Sequence, residues 1–169
     1  MSFREVQLAD ATQGRLYLHS MPGRFEPLTD DWREVHRTGV RTIVCLAPLD
    51  EIRKKSPGYA AAIETGEVPC AVRGFPVPDY EGPEDDKAFR QLTKEVAESL
   101  HSGESVLIHC GAGVGRTGML AIAVLLMFGL SPEEAQRRVV AAGSWPERFS
   151  QEEALRRLDG SLREGKDGF

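Results

Sequence analysis

Short apolar runs alternate with longer stretches of helical spacing along the chain. Four runs have the length and bounding turn residues of buried strands, at residues 15–18, 42–46, 70–75 and 105–108. A stretch with helical character separates each run from the next. This alternation predicts an α/β fold in which a largely parallel central sheet is flanked by helices.

Most of the helical stretches carry apolar residues at every third or fourth position. Helices are predicted at residues 29–38, 59–64, 84–101, 119–130, 132–142 and 151–162. Residues 47–51 are predicted to form a loop. Thr29 or Asp30 is expected to cap the first helix, and Gly39 to end it. The stretch at 119–130 is apolar throughout but too short to span a bilayer, so we expect a buried central helix.

Composition places the chain among ordinary soluble globular proteins. It has 169 residues, of which 41% are hydrophobic and 28% charged, with a net charge of −5. We expect one domain over residues 1–169, with a loose tail at 163–169. The net charge gives no strong attraction to nucleic acid or to an acidic membrane. Early charged residues argue against a secretory signal, and three unpaired cysteines fit a reducing cytoplasm.

The most distinctive segment joins the strand at 105–108 to the apolar helix. It reads His109-Cys110-Gly111-Ala112-Gly113-Val114-Gly115-Arg116-Thr117-Gly118. A glycine-rich loop that ends at a helix N-terminus directs unpaired backbone N–H groups into one small volume, where the helix dipole also favours an anion. We therefore predict a phosphate-binding loop made of Gly111, Ala112, Gly113, Val114, Gly115 and Arg116.

Three side chains give this loop its predicted chemistry. The planar fork of Arg116 suits two phosphate oxygens. Cys110 lies where a helix N-terminus and a cation stabilise a thiolate, so we expect a nucleophile. The Thr117 hydroxyl is placed to donate to its sulfur and to help it leave when a thiophosphate intermediate is hydrolysed. Cys45 and Cys70 are expected to be small buried side chains.

Two nucleotide-binding motifs share part of this spacing. The glycines at 113, 115 and 118 match the dinucleotide fingerprint, but that fold needs a further strand ending in an acid about 20 residues later. Here Ser131-Pro132 begins a second helix instead. A Walker-type loop is excluded because Cys110 stands in place of its first glycine and Arg116 in place of its lysine.

The pattern His109-Cys110-x5-Arg116-Thr117-Gly118 resembles the signature of cysteine-based protein tyrosine and dual-specificity phosphatases. A looser similarity over residues 15–158 is closest to the small kinase-associated (cyclin-dependent kinase inhibitor 3-like) type. The resemblance implies that Cys110 attacks phosphorus, Arg116 holds the phosphate and His109 orients the loop. It also implies that neither a metal nor another cofactor takes part.

The run Phe75-Pro76-Val77-Pro78-Asp79-Tyr80-Glu81-Gly82-Pro83 resembles the acid loop of the same family. The resemblance implies that Asp79 protonates the leaving oxygen and then activates water. The alternative is that Asp79 only caps its own turn. Asp85 and Asp86 fit the first turn of the next helix better, but they stay open as alternative acids.

Residues 146–151 resemble the family segment that precedes the last helix, where a glutamine positions the hydrolytic water. The resemblance implies this role for Gln151, and the alternative is a glutamine that caps the helix at the surface. The usual Arg-Pro-Gly of that segment is replaced by Gly143-Ser144-Trp145-Pro146. The resemblance also allows Cys45 to form a protective disulfide with Cys110 under oxidation.

The resemblance further bears on the substrate. Near residues 50–55 the chain has no counterpart of the loop that deepens the pocket of tyrosine-specific members. Ala112 and Val114 stand where phosphoinositide-type members place lysine. We therefore expect a monomer that dephosphorylates phosphotyrosine, and also phosphoserine and phosphothreonine, in a protein or peptide.

Other functions stay open beside this one. One is a phosphatase for a nucleotide, an RNA 5′-phosphate or an inositol phosphate, and another is a silent phosphate-binding module. The basic run Arg53-Lys54-Lys55 either meets an acidic substrate at the rim or forms a solvated face.

Overall fold

The computed structural model describes residues 2–8 and 12–165. The strands are β1 (Arg4–Val6), β2 (Leu16–His19), β3 (Val40–Cys45), β4 (Ala71–Gly74) and β5 (Ser105–His109). The helices are α1 (Leu28–Thr38), α2 (Leu49–Lys55), α3 (Pro57–Thr65), α4 (Asp86–His101), α5 (Gly115–Met127), α6 (Pro132–Ala141) and α7 (Phe149–Arg163).

The strands form one sheet in the order β1-β2-β5-β3-β4. Only β1 is antiparallel to its neighbour, and the other pairs are parallel. The α/β fold with a largely parallel sheet is therefore confirmed. The carboxyl ends of the parallel strands meet at one edge, where His19 and Cys45 both pair in register with His109. Ligands bind at this edge in open α/β sheets.

Alternate side chains of the central strand β5 face two different layers. Val106 and Ile108 pack into the larger core, together with residues of α4, α5, α6 and α7. Leu107 points to the opposite face of the sheet. Residues of α1, and of α2 and α3 after β3, cover this face. Because β5 is buried on both faces, its residues form a continuous apolar run, as in a parallel strand between two helix layers.

Helix α5 is buried along its entire length, from Gly115 to Met127. It packs against α4, α6, α7 and β5, so it is the centre of the larger core. The apolar run at 119–130 correctly predicts a buried helix. The helix begins four residues earlier than predicted, because the glycine-rich loop passes into helical geometry at Gly115.

Helix α2 contradicts the loop predicted at 47–51. Pro48 precedes its first residue, acidic Asp50 and Glu51 lie in the first turn, and basic residues fill the last turn. This charge distribution complements the helix dipole. The expected cap of α1 is also wrong, since Pro27 is at the N-cap and no side chain caps the helix.

Other helix ends follow the sequence. Gly39 ends α1 in the left-handed conformation, with φ of 70°. Asp85 caps α4 by accepting from the backbone N–H groups of Lys87 and Ala88, and Ser131 caps α6. Residues 166–169 of the predicted loose tail lie outside the described residues. Within residues 2–8 and 12–165, no helix is long and apolar enough to cross a membrane.

Candidate active site

The glycine-rich loop leaves β5 at the carboxyl edge of the sheet and passes into α5. Hydrogen-bond donors from other segments of the chain bind three of the loop's carbonyl groups. Met21 N–H donates to Gly111 O over 3.1 Å, Ser144 Oγ to Gly113 O over 2.6 Å, and Trp145 N–H to Val114 O over 3.2 Å. Since C=O and N–H of a trans peptide point in opposite directions, these bonds turn the following N–H groups toward the inside of the loop.

Two glycines allow the loop to pack tightly against its supports. Gly113 has a φ of 77°, and an added Cβ would meet the carbonyl group of His19. A Cβ at Gly118 would lie 2.5 Å from the backbone nitrogen of Trp145. Side chains at either position would therefore push the phosphate-binding loop away from β2 or from the segment before α7.

Cys110 lies at the base of the loop and is only 2% exposed. The Thr117 hydroxyl donates to its sulfur over 3.1 Å, from the first turn of α5. This is the hydrogen bond expected from the sequence.

Arg116 is buried, and its guanidinium is held by two other segments. It forms a bidentate ion pair with Glu51 of α2, with N–O distances of 2.8 and 2.9 Å. One of the same nitrogens donates to Val77 O over 2.8 Å. Burial raises the pKa of Glu51, but its hydrogen bonds to Arg116 and Lys55 outweigh this effect and lower the pKa to about 2.

Asp79 reaches the same place from the loop that follows β4. Its Oδ1 lies 3.2 Å from Arg116 Nη2, and its Oδ2 lies 3.8 Å from Lys55 Nζ. The backbone of this acid loop is anchored by Val77, whose N–H donates to Leu46 O over 2.9 Å. The structure thus brings the predicted nucleophile, phosphate-binding arginine and acid to one edge of the sheet.

Comparison with known families agrees with this geometry. A family model described as "Swiss Army Knife protein, DSP-PTPase phosphatase domain" matches residues 13–164. The chain belongs to this family. It is therefore a cysteine-based dual-specificity phosphatase domain whose substrates are phosphorylated molecules.

Solved structures of phosphatases share the fold. Tk-PTP in its active form has 25% sequence identity and a TM-score of 0.70, covering 90% of this chain and 99% of its own. Kinase associated phosphatase, with its catalytic cysteine replaced by serine, has 19% identity and a TM-score of 0.79, covering 96% of both chains. PTPMT1 in complex with PI(5)P has 19% identity and a TM-score of 0.73, covering 94% and 97%. The last two likenesses support the fold alone, so the kinase-associated type stays a prediction.

In this phosphatase domain, His109 lies fully buried behind the loop. Its Nδ1 is 3.0 Å from Cys110 O and its Nε2 is 2.7 Å from the Tyr59 hydroxyl. Since a carbonyl only accepts, Nδ1 carries the proton and Nε2 accepts from Tyr59. Burial lowers the pKa of His109 to about 4, so the ring is neutral. The neutral ring fixes the orientation of the Cys110 carbonyl.

Gln151 lies in the first turn of α7 and is 1% exposed, so it is not the surface cap considered as an alternative. Its Oε1 accepts from Glu147 N–H over 2.8 Å, and its Nε2 donates to Glu81 O over 3.0 Å. Both ends of the amide are therefore engaged. The structure shows a link between α7 and the acid loop, and the water-positioning role stays a prediction.

Other residues considered from the sequence lie elsewhere. Asp85 caps α4, and Asp86 forms an ion pair with Arg157 over 2.6 Å. Neither of these contacts involves the phosphate-binding loop. Arg53 pairs with Glu64 on the surface. Cys45 and Cys110 are both free thiols, and burial raises the pKa of Cys45 to about 11.

The sequence did not identify Glu51 or Tyr59 as site residues, and it considered Lys55 only as part of the basic run at residues 53–55. Glu51 and Lys55 are four positions apart in α2 and paired over 2.8 Å, which is a helical pattern that starts inside the loop predicted at 47–51 and continues beyond it. Recognising that helix would have placed a carboxylate and an ammonium on one helix face. Tyr59 has no comparable signal, because its contact with His109 depends on how α3 packs against the end of β5.

Proposed function

We propose that this domain hydrolyses phosphomonoesters of proteins through a phosphocysteine at Cys110. The observation that carries the proposal is the convergence of Cys110, Arg116 and Asp79, with the Thr117 hydroxyl on the sulfur. A nucleophile, an anion holder and a proton donor are the groups that this reaction needs. The family identification supports the same chemistry.

The first step transfers the phosphoryl group to the enzyme. The Cys110 thiolate attacks phosphorus, and the S–P bond forms as the bond from phosphorus to the ester oxygen breaks. Protonated Asp79 gives its proton to that leaving oxygen. The N–H groups of the loop and the guanidinium of Arg116 stabilise the charge on the equatorial oxygens.

The second step returns the enzyme to its starting state. The Asp79 carboxylate takes a proton from water as the water oxygen attacks phosphorus, and the S–P bond breaks. The products are inorganic phosphate and the Cys110 thiolate, which receives the hydrogen bond of Thr117. Asp79 is then protonated again for the next cycle.

The surroundings of the loop favour a phosphoprotein over a highly charged small molecule. Ala112 is exposed and Val114 is half-buried, and both are apolar. Lys55 adds a cation near the loop, and Glu51, 2.8 Å away, shares its negative charge between this ammonium and Arg116. We therefore infer phosphotyrosine, and also phosphoserine and phosphothreonine, as targets.

We further infer one domain that works as a monomer in a reducing cytoplasm, without nucleic acid or membrane as a partner. A nucleophilic thiol requires reducing conditions. The net charge of −5 supports the absence of a general attraction to polyanions.

A substrate panel tests the proposed function. The purified domain is assayed with phosphotyrosine, phosphoserine and phosphothreonine peptides, a nucleotide, an RNA 5′-phosphate and inositol phosphates. We expect turnover of phosphopeptides, no effect of a chelator, and no turnover by Cys110→Ser. Preferred turnover of a non-protein substrate would move the assignment to that class. Binding of phosphopeptide without turnover by the unsubstituted protein would indicate a silent module, and an active Cys110→Ser would exclude the nucleophile.

Asp79→Asn separates the acid from a turn residue. We expect kcat/KM to fall by about 10²- to 10⁴-fold for phenyl phosphate, whose leaving group needs a proton, and much less for 4-nitrophenyl phosphate. An equal loss for both esters would show that Asp79 does not protonate the leaving oxygen.

A further inference from the structure

Two exposed side chains connect the acid loop to the segment before α7. The guanidinium carbon of Arg148 lies 4.3 Å from the ring centroid of Tyr80. Tyr80 follows Asp79 directly and is 52% exposed, and Arg148 is the N-cap residue of α7. An exposed aromatic ring can adopt more than one rotamer, and a cation stacked on its face favours one of them.

The backbone at Tyr80 needs such a restraint. Its φ of 63° makes it the only residue other than glycine with positive φ within residues 2–8 and 12–165. This left-handed conformation is unfavourable for a residue with a bulky side chain. The turn also orients the carboxyl group of Asp79. Tyr80 N–H donates to Asp79 Oδ1 over 3.0 Å, and the same oxygen lies 3.2 Å from Arg116 Nη2.

The next two residues of the acid loop, Glu81 and Gly82, also contact the start of α7. Glu81 O accepts from Gln151 Nε2 over 3.0 Å. A Cβ added to Gly82 would lie 2.7 Å from Ser150 O, so the two backbones are in close contact. Residues 80–82 therefore lie against residues 148–151 at three consecutive positions, and Arg148 provides the contact nearest to Asp79.

We propose that Arg148 is a positioning residue that holds the acid loop in this conformation by stacking on Tyr80. The stack favours the left-handed turn at Tyr80, and this turn directs the Asp79 carboxyl group toward the phosphate-binding loop. The inference rests on the proposed function, because it assigns Arg148 a part in proton donation. The proposed mechanism places Arg148 neither on the phosphate nor on Cys110.

Arg148→Ala tests the stack through the leaving-group dependence of turnover. We expect kcat/KM for phenyl phosphate to fall by about 2- to 5-fold, which corresponds to the loss of one exposed cation–π contact. For 4-nitrophenyl phosphate we expect little change. Arg148→Lys, which keeps a cation, should retain more activity toward phenyl phosphate than Arg148→Ala.

The chain offers a matched control on the same helix. Arg156 also stacks on an exposed ring, 5.7 Å from the centroid of Phe149, and has no contact of this kind with the acid loop. Arg156→Ala should leave kcat/KM unchanged for both esters. Tyr80→Ala should reproduce the loss of Arg148→Ala, and the double variant should lose no more than either single variant.

A second double-mutant cycle, between Arg148 and Asp79, tests whether Arg148 acts through the acid. In an Asp79→Asn background, Arg148→Ala should cause no further loss, because no proton donor remains to be positioned. Equal losses for both esters, or a full additional loss in the Asp79→Asn background, would overturn the inference and leave the proposed function intact. Full activity of Cys110→Ser would overturn the proposed function itself.

Discussion

His109 shows how one buried side chain constrains the chemistry of its neighbour. Its ring receives a hydrogen bond from the Tyr59 hydroxyl and donates one to the carbonyl of Cys110. Protonation of Nε2 would reverse the hydrogen bond with the Tyr59 hydroxyl and would place a positive charge in a fully buried position. The low pKa of about 4, which burial causes, is therefore part of the loop geometry.

The same residue predicts a pH dependence of stability. The ordinary pKa of 6.5 applies to the unfolded chain, and the folded pKa is about 4. Between these values the unfolded state binds more protons, so the free energy of unfolding is highest above the upper value and falls as pH falls. From about pH 7.5 to about pH 5, we expect a loss of roughly 2 kcal/mol.

Urea unfolding at the two pH values measures this loss. His109→Asn is the comparison, because the variant cannot take up the proton. Glu51 and Glu134 have pKa values of about 2 and contribute mainly at lower pH. If His109→Asn lost as much stability as the unsubstituted protein between these pH values, another group would be responsible.

At the scale of elements, the predictable parts are those with a strong local pattern. The apolar runs of β5 and α5 are visible because nearly every residue of these elements is buried, and that of β3 is visible because its last three residues are buried. Helix α2 was missed because it has seven residues and only Ile52 is buried, so it has almost no apolar period. Its ends are marked by charge and not by hydrophobicity.

The site residues also divide into those that a local sequence pattern reveals and those that it does not. Cys110, Arg116 and Thr117 lie in one contiguous segment, so their spacing alone reveals the chemistry. Glu51 and Tyr59 reach this segment across 65 and 50 positions of sequence. No local pattern predicts such contacts, because they depend on how β3 and β5 pair and on which helices cover each face.

The cap of α4 gives a prediction for an element that borders the acid loop. Asp85 accepts from Lys87 N–H over 3.0 Å and from Ala88 N–H over 3.1 Å. Asp85→Ala should lower the free energy of unfolding by about 1 kcal/mol, since those donors lose their partner. Asp85→Asn keeps a capping oxygen and should lose much less.

Activity measurements on these variants address the alternative acid. Asp85→Ala should leave the ratio of kcat/KM between phenyl and 4-nitrophenyl phosphate unchanged, because Asp79 donates the proton in our assignment. A selective loss for phenyl phosphate would instead assign the acid role to Asp85.

Across the whole molecule, Arg4 connects the first strand to the site. From β1 at the edge of the sheet, its guanidinium donates to Gly113 O over 2.7 Å, to Ala142 O over 2.7 Å and to Ser144 Oγ over 2.9 Å. One side chain thus joins an edge strand, the phosphate-binding loop and the end of α6. The loop geometry depends on a residue more than a hundred positions away in sequence.

Arg4→Ala is expected to weaken both stability and catalysis. Loss of the charge-assisted hydrogen bonds should lower the free energy of unfolding by roughly 1–3 kcal/mol. Displacement of Gly113 should lower kcat/KM for 4-nitrophenyl phosphate by about tenfold or more. Arg15→Ala is the control, because Arg15 directly precedes β2 and its guanidinium forms an exposed ion pair with Glu5 of β1. Equal effects of the two substitutions would show that Arg4 acts as an ordinary surface charge.

The complete burial of α5 has a consequence for how the phosphatase is inactivated. Amide hydrogens of a helix enclosed on every side exchange with solvent only when the whole core opens. The phosphate-binding loop is continuous with the first turn of this helix, so it is anchored to the most protected part of the chain. We therefore expect the anion site to be lost on heating together with the cooperative melting of the core.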